Sequence, residues 1–220
     1  MLKIELHNRL IENKDWATLL FILCFVIILV SKSAFENKFH DFKNMIFSDR
    51  YIKMYRDYTH LMTWFTFLMF IVQVFSIGFF VHYLGYYFGY FAKSNGLVFI
   101  QIEVLLTVFI LSKYLTEKII ATTFDIEEIN EQYNMLKVSY RNYIAMLLLF
   151  VTLILYYNLP PKPIFIWVLL GLIGFANLII YIKAFQIFQK TIFGNLYYFI
   201  LYLCTLEIAP CFFIYYFITR

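Results

Sequence analysis

The sequence predicts an all-α protein, a polytopic bundle of six transmembrane helices that forms one integral membrane domain over residues 1–220. Of the 220 residues, 63% are hydrophobic and only 15% are charged, whereas soluble domains are about 45–50% apolar and about 25% charged. The apolar residues also lie in long runs, and a bilayer core of about 30 Å takes about 20 residues per helix. The composition therefore excludes a soluble domain and a disordered chain.

Six runs with little or no charge are the predicted spans, and they are Trp16–Ser31, Leu61–Leu84, Leu97–Leu115, Asn142–Asn158, Pro163–Ile182 and Leu196–Ile218. The first run is as short as the core of a signal peptide. It is interpreted as a retained helix, because the charges before it are balanced and no small-residue cleavage site follows. An interfacial aromatic stretch, Gly85–Phe91, follows the second span. The prolines of Leu159–Pro163 predict a tight turn between the fourth and fifth spans, since proline does not continue a helix.

The first and third loops have amphipathic patterns. Apolar residues at Phe35, Phe39 and Phe42 follow helical spacing among basic residues, which predicts a helix at the lipid interface. The interfacial basic residues of this loop are Lys43, Arg50, Lys53 and Arg56. They are expected to meet anionic headgroups, with a docking surface for an acidic partner as the alternative. The pattern of the third loop predicts a solvated helix that leads into the fourth span. Asp125 and Glu128 are predicted to form the N-terminal cap of this helix.

Lys and Arg residues predict the orientation of the spans. Twelve of them belong to the first, third and fifth loops and six to the other side. The positive-inside rule therefore places those three loops in the cytoplasm and both termini in the periplasm, with the chain in the bacterial inner membrane.

Glu103 and Glu207 are the two acidic residues inside predicted spans. A charge near the centre of a span costs roughly 2.5–3.5 kcal/mol, so such residues usually face the interior of a bundle. Glu103 lies about three residues from the middle of its span, roughly 5 Å along the axis, and Glu207 lies at the middle of its own. If they meet, two carboxylates at low dielectric share a proton. A protonated Glu bonded to a neighbouring helix is the alternative for each.

Other polar residues complete a predicted intramembrane cluster around the two acids. Helical spacing places Tyr197 and Cys204 on the face of Glu207, and Thr107 lies one turn from Glu103. Pro210 breaks the sixth helix and frees a backbone carbonyl one turn earlier.

No catalytic residue, metal site or cofactor is predicted. His60 and His82 are separated by roughly 33 Å on one helix, too far apart to bind one haem iron. Motifs of hydrolases and zinc proteases are absent from the sequence. The net charge of +4 gives no indication of nucleic-acid binding. The expected partners are the lipid bilayer and either a membrane protein or further copies of the chain.

Three sequence motifs carry a resemblance to a known family. They are Asp15–Trp16, the F-S-D-R-Y-I-K-M-Y stretch from Phe47 to Tyr55, and L-Y-L-C-T-L-E-I-A-P from Leu201 to Pro210. The chain resembles a Bacteroidota family of inner-membrane proteins of similar length that are described as a domain of unknown function. The resemblance implies a polytopic bacterial inner-membrane protein and no established activity.

Two functions from different classes are compatible with these residues. The first is a non-enzymatic subunit or assembly factor of a cell-envelope complex, in which Glu103 and Glu207 make polar contacts within the bundle or to a partner helix. The alternative is a small proton-coupled carrier in which the two acids bind protons. The sequence favours the first, because it lacks inverted repeats and paired helices broken by Gly or Pro. An enzyme is not favoured, since no nucleophile, metal or His-Asp set is recognisable.

Overall fold

The structure, a computed structural model, describes residues 15–43, 63–123, 127–158 and 163–194. These residues form six helices and no strand: α1 (Asp15–Ala34), α2 (Glu36–Lys43), α3 (Trp64–Tyr87), α4 (Gly96–Thr123), α5 (Glu127–Tyr157) and α6 (Pro163–Gly194). All except α2 are long and apolar enough to cross a membrane. The all-helical class and the first five predicted spans are confirmed.

Helices α4 and α5 extend well beyond the spans predicted for them. The third predicted span ends at Leu115, but α4 continues to Thr123. Helix α5 begins at Glu127, so most of the predicted loop helix and the fourth span form one helix of 31 residues. At 1.5 Å per residue these helices are about 42 and about 46 Å long, more than the hydrocarbon core. Hydropathy identifies only the apolar part of each helix. The helices continue beyond it because polar residues such as Glu and Lys also favour helix.

From Tyr133 onward the loop segment of α5 is largely buried, whereas a solvated helix is predicted; Glu127 at its beginning is exposed. Tyr133, Leu136 and Tyr140 pack in one core cluster with Phe42 of α2 and Phe65 of α3. The polar residues Asn134, Lys137 and Ser139 of the same segment are also buried. Polar residues do not by themselves mark a solvated segment, because residues of α2, α3 and α4 pack against α5 at Tyr133, Leu136 and Tyr140.

Helix α3 is the central element of the bundle, since α1, α4 and α5 all contact it. In the apolar 18-residue stretch of α3, 50% of the residues are buried, whereas in that of α4 only 6% are buried. Helix α4 therefore lies at the edge of the described bundle, with most of its apolar surface open.

Phe79 lies at the centre of the second core cluster. Its ring centroid is 4.1 Å from that of Phe21 on α1 and 4.6 Å from that of Phe99 on α4. Tyr156 of α5 completes the contact, with its ring centroid 5.9 Å from that of Phe79. One side chain of α3 thus joins three neighbouring helices.

The first loop contains a helix, α2, but its Phe42 packs inside the bundle. The Phe42 ring lies 5.7 Å from Phe65 and 5.8 Å from Tyr143, centroid to centroid. Lys43 ends the helix and is exposed. Contact of this loop with the lipid interface stays a prediction.

Several predicted features lie outside the described residues. They are the sixth span with Tyr197, Cys204, Glu207 and Pro210, the basic residues Arg50, Lys53 and Arg56, and the helix cap at Asp125.

Candidate functional site

Glu103 reaches from α4 onto the bare backbone of α3 at Gly78. A Cβ atom on Gly78 would lie only 2.5 Å from Cδ of Glu103, and closer still to its Oε1. The carboxyl group therefore occupies the space that a side chain at position 78 would fill. Its Oε1 is buried and has no hydrogen-bond partner among the described residues. An acceptor without a donor in an apolar setting is costly, which makes Glu103 a candidate functional residue.

An open groove between α3 and α4 lies beside Glu103. Its volume is about 470 Å³, and its lining residues are Phe67, Phe70, Ile71, Val74, Phe75, Glu103, Val104, Thr107, Val108 and Leu111. Glu103 and Thr107 are the two polar members of this lining. The Thr107 hydroxyl donates to the main-chain carbonyl of Glu103 at 2.8 Å, so it is engaged within its own helix. Apolar walls with one carboxyl acceptor suit an apolar ligand that carries a hydrogen-bond donor.

The structure brings two members of the predicted polar cluster together, Glu103 and Thr107, one helical turn apart and both on the groove. The meeting of Glu103 with Glu207 stays a prediction, because Glu207 lies outside the described residues. Over the part of the chain that the structure describes, no three His, Cys, Asp or Glu side chains are grouped as a metal site.

Lys93 is a buried cation that the sequence reasoning missed. It is 4% exposed, and its Nζ lies 5.4, 5.3 and 4.8 Å from the ring centroids of Tyr83, Tyr86 and Tyr156. Cations over aromatic faces are stabilised by the ring quadrupole. In the sequence Lys93 contributes only to the count of loop charges, although the tyrosines that precede it are a usable signal.

Two hydrogen bonds fasten the loop of Lys93 to the bundle. The Tyr156 hydroxyl donates to the Lys93 carbonyl at 3.1 Å, and Nε2 of His82 donates to the Asn95 carbonyl at 3.3 Å. Gly89, in the same loop, has a φ of 81°, which is a conformation that glycine adopts without strain. His82 is therefore not only a haem-ligand candidate rejected by its distance from His60, but a residue that holds this loop.

Glu117 and Lys137 form a buried ion pair between α4 and α5, which the sequence analysis also missed. The Nζ of Lys137 lies 3.5 Å from Oε1 of Glu117, with side chains 3% and 5% exposed respectively. The two residues lie on different helices, so no fixed sequence spacing marks them as a pair.

We expect a double-mutant cycle to show energetic coupling between Gly78 and Glu103. Ala is favoured over Gly in a helix by up to about 1 kcal/mol, but at position 78 its Cβ displaces the Glu103 carboxyl. The change in unfolding free energy caused by Gly78→Ala is therefore expected to be more favourable in the Glu103→Ala protein than in the wild-type protein. The difference, which is the coupling energy, is expected to be about 0.5–3 kcal/mol. The measurement is the free energy of unfolding in detergent.

Gly171→Ala is the matched control for this cycle, because a Cβ at that helical glycine meets nothing within 4 Å. It should give the same change with and without Glu103. Additive effects of Gly78→Ala and Glu103→Ala would contradict the packing described here.

The helices and the groove together define a multi-pass membrane protein that holds a carboxyl group between two of its apolar helices. Residues 17–218 match the family described as Domain of unknown function (DUF4271), and the chain belongs to this family. The predicted resemblance to a family of this description is thereby confirmed, while the Bacteroidota origin and the C-terminal motif stay predictions. No curated protein and no solved structure matches the chain.

Proposed function

We propose that this protein is a non-enzymatic subunit or assembly factor of a cell-envelope complex in the bacterial inner membrane, with both termini in the periplasm. The observation that carries the proposal is the Glu103 carboxyl, whose buried Oε1 lacks a donor among the described residues. An unsatisfied polar group in hydrocarbon costs several kcal/mol. Glu103 also lines the open groove, so a partner that forms a hydrogen bond with this carboxyl there would make the complex more stable than the separate chains.

The open surface of α4 supports this proposal. Its exposed large apolar residues are Leu97, Ile100, Val104, Leu105, Val108, Phe109, Leu111, Leu115 and Ile119. They extend over nearly the whole helix, so a second helix has room to lie beside it. Helices in a bilayer associate through close packing and interhelical hydrogen bonds, because lipid tails are as apolar as the side chains. Glu103 supplies the hydrogen-bonding group at this surface.

The proton-coupled carrier is the competing proposal, with Glu103 and Glu207 as its proton sites. The groove beside Glu103 is a poor path for a polar solute, because its lining is apolar apart from Glu103 and Thr107. Sites for polar substrates in transporters usually combine unwound backbone with several polar groups, and within its described range α4 is one continuous helix.

Affinity purification of the tagged full-length chain from native membranes tests the proposal. We expect one membrane protein to co-purify in fixed stoichiometry with the wild type. Glu103→Ala is expected to weaken its retention about tenfold or more, since a lost hydrogen bond of 1.4 kcal/mol corresponds to a factor of about ten. Glu103→Gln should retain the partner, because the amide oxygen still accepts. Glu207→Ala shows in the same assay whether the second acid contributes.

Transport by the purified chain alone would contradict the subunit proposal. The decisive result would be substrate movement driven by a pH gradient in reconstituted vesicles, abolished by Glu103→Gln or Glu207→Gln. Gln retains the hydrogen-bonding shape but does not bind and release the proton.

A further inference from the structure

We infer that Glu103 is a proton-binding site: its carboxyl group holds a proton at neutral pH, and the space on the α3 backbone at Gly78 accepts only this neutral form. Raising the pH ionises the carboxyl and moves it away from Gly78, so the contact between α3 and α4 depends on pH. The inference concerns the charge of Glu103 within its own chain and is independent of the proposed function.

The position of the carboxyl on Gly78 leaves a negative charge without solvation. Its Oε1 atom is buried, lies where a Cβ atom of residue 78 would be, and has no hydrogen-bond partner among the described residues. The groove that Glu103 also lines is apolar apart from Glu103 and Thr107, and the Thr107 hydroxyl donates to the Glu103 main chain. A buried carboxylate requires hydrogen bonds or a cation, whereas a neutral carboxyl costs far less to bury. The geometry therefore fits the protonated group.

The cations of the described helices lie away from this carboxyl. On α4, Lys113 is ten residues from Glu103, which is about 15 Å along the axis. Helix α3 carries no Lys or Arg, α1 carries none between Asp15 and Lys32, and α5 carries none after Arg141. The atoms nearest to a Cβ at Gly78 all belong to Glu103.

The remaining titratable groups near Glu103 do not favour its ionisation. Cys24 of α1 is fully buried and lies close enough to interact electrostatically with the carboxyl, but a thiol gains only negative charge. His82 lies one turn beyond Gly78 on α3, and its Nε2 is engaged with the Asn95 carbonyl. The Nζ of Lys93 lies over the rings of Tyr83, Tyr86 and Tyr156 at the loop end of the bundle.

The predicted spans show that other parts of the chain supply no cation at this depth either. Apart from the third, none of the six predicted spans contains Lys or Arg, and the charged residue of the sixth is Glu207. If the sixth span covers the groove, it therefore brings apolar side chains or a second carboxyl. A neighbouring carboxylate disfavours ionisation further. The inference thus does not depend on what lies against the groove.

Infrared spectroscopy of the purified full-length chain in detergent tests the charge of Glu103. A protonated carboxyl has a carbonyl stretch that is separate from those of carboxylates and amides. We expect this band at neutral pH in the wild type and in Glu207→Gln, and we expect its loss when Glu103→Gln is added to Glu207→Gln. Glu127→Gln is the matched control, because Glu127 is exposed and its replacement should leave the band unchanged.

The double-mutant cycle between Gly78 and Glu103, repeated at increasing pH, tests whether the space at Gly78 accepts only the neutral form. The coupling between Gly78→Ala and Glu103→Ala should be present at neutral pH and should vanish at the pH at which the infrared band disappears. Gly171→Ala should have the same effect with and without Glu103 throughout, since a Cβ there meets nothing within 4 Å.

Three outcomes would overturn the inference and leave the proposed function standing. A neutral-pH band that Glu103→Gln leaves unchanged, or absence of the band, would reject the proton-binding site. A band that persists at alkaline pH, or a coupling that survives loss of the band, would reject the pH-dependent contact. Carbon-13 NMR of the wild type with labelled Glu side chains needs no substitution, and a spectrum without a protonated Glu at neutral pH would also reject the site. Retention of a partner in the affinity purification decides the proposed function separately.

Discussion

Replacing Lys137 with Met is expected to lower the free energy of unfolding by roughly 3–5 kcal/mol, because it leaves the Glu117 carboxylate buried without its cation. The two charges lie 3.5 Å apart and are almost fully screened from solvent by α4 and α5. The Lys137 ammonium also lies 4.3 Å from the centroid of the Tyr133 ring, so the substitution removes a cation–π contact as well. The measurement is unfolding of the purified chain in detergent.

The exposed neighbour Lys118 provides the matched control, since Lys118→Met removes a cation from the surface of α4 and should change the unfolding free energy by at most about 0.5 kcal/mol. The double variant Glu117→Leu with Lys137→Met should recover most of the loss, because it removes both buried charges. Equal effects of Lys137→Met and Lys118→Met would show that the ion pair does not stabilise the bundle.

Replacing Phe79 with Ala is expected to cost roughly 3–5 kcal/mol, the range measured for large buried aromatic residues. Phe79 is 0% exposed and contacts rings of α1, α4 and α5. In a membrane the loss comes mainly from the cavity and the missing dispersion contacts, since lipid is itself apolar. Thermal unfolding in detergent measures it.

Phe109→Ala is the control for Phe79→Ala. Phe109 is 41% exposed on α4, so lipid or detergent fills the space that the ring leaves. Its replacement should change stability much less than that of Phe79. A similar cost at both positions would contradict the central role of α3.

The helices were largely predictable from the sequence, whereas their ends were not. The apolar run after Tyr58 predicted α3 because a bilayer requires about 20 apolar residues in succession. The beginning of α5 at Glu127 was not predictable in this way. Its first turns are polar and give no hydropathy signal, and the burial of α5 from Tyr133 onward depends on the helices that pack against it.

The candidate site was predictable only in part. Glu103 was identified from the cost of an acid inside a span. Its contact with Gly78 was not, because glycine at that position gave no signal until α3 and α4 were placed side by side. The groove follows from the same placement.

The sequence by itself determined that this chain is a membrane protein, where five of its helices run and which acid lies within α4. These features follow from composition and local periodicity, which any stretch of about 20 residues reveals. Only the tertiary structure decided that α3 is central, that Lys93, Glu117 and Lys137 are buried, and that Glu103 rests on Gly78. Each of these depends on which helices pack together, and a charge near the end of a span has the same local pattern whether it faces water or a neighbouring helix.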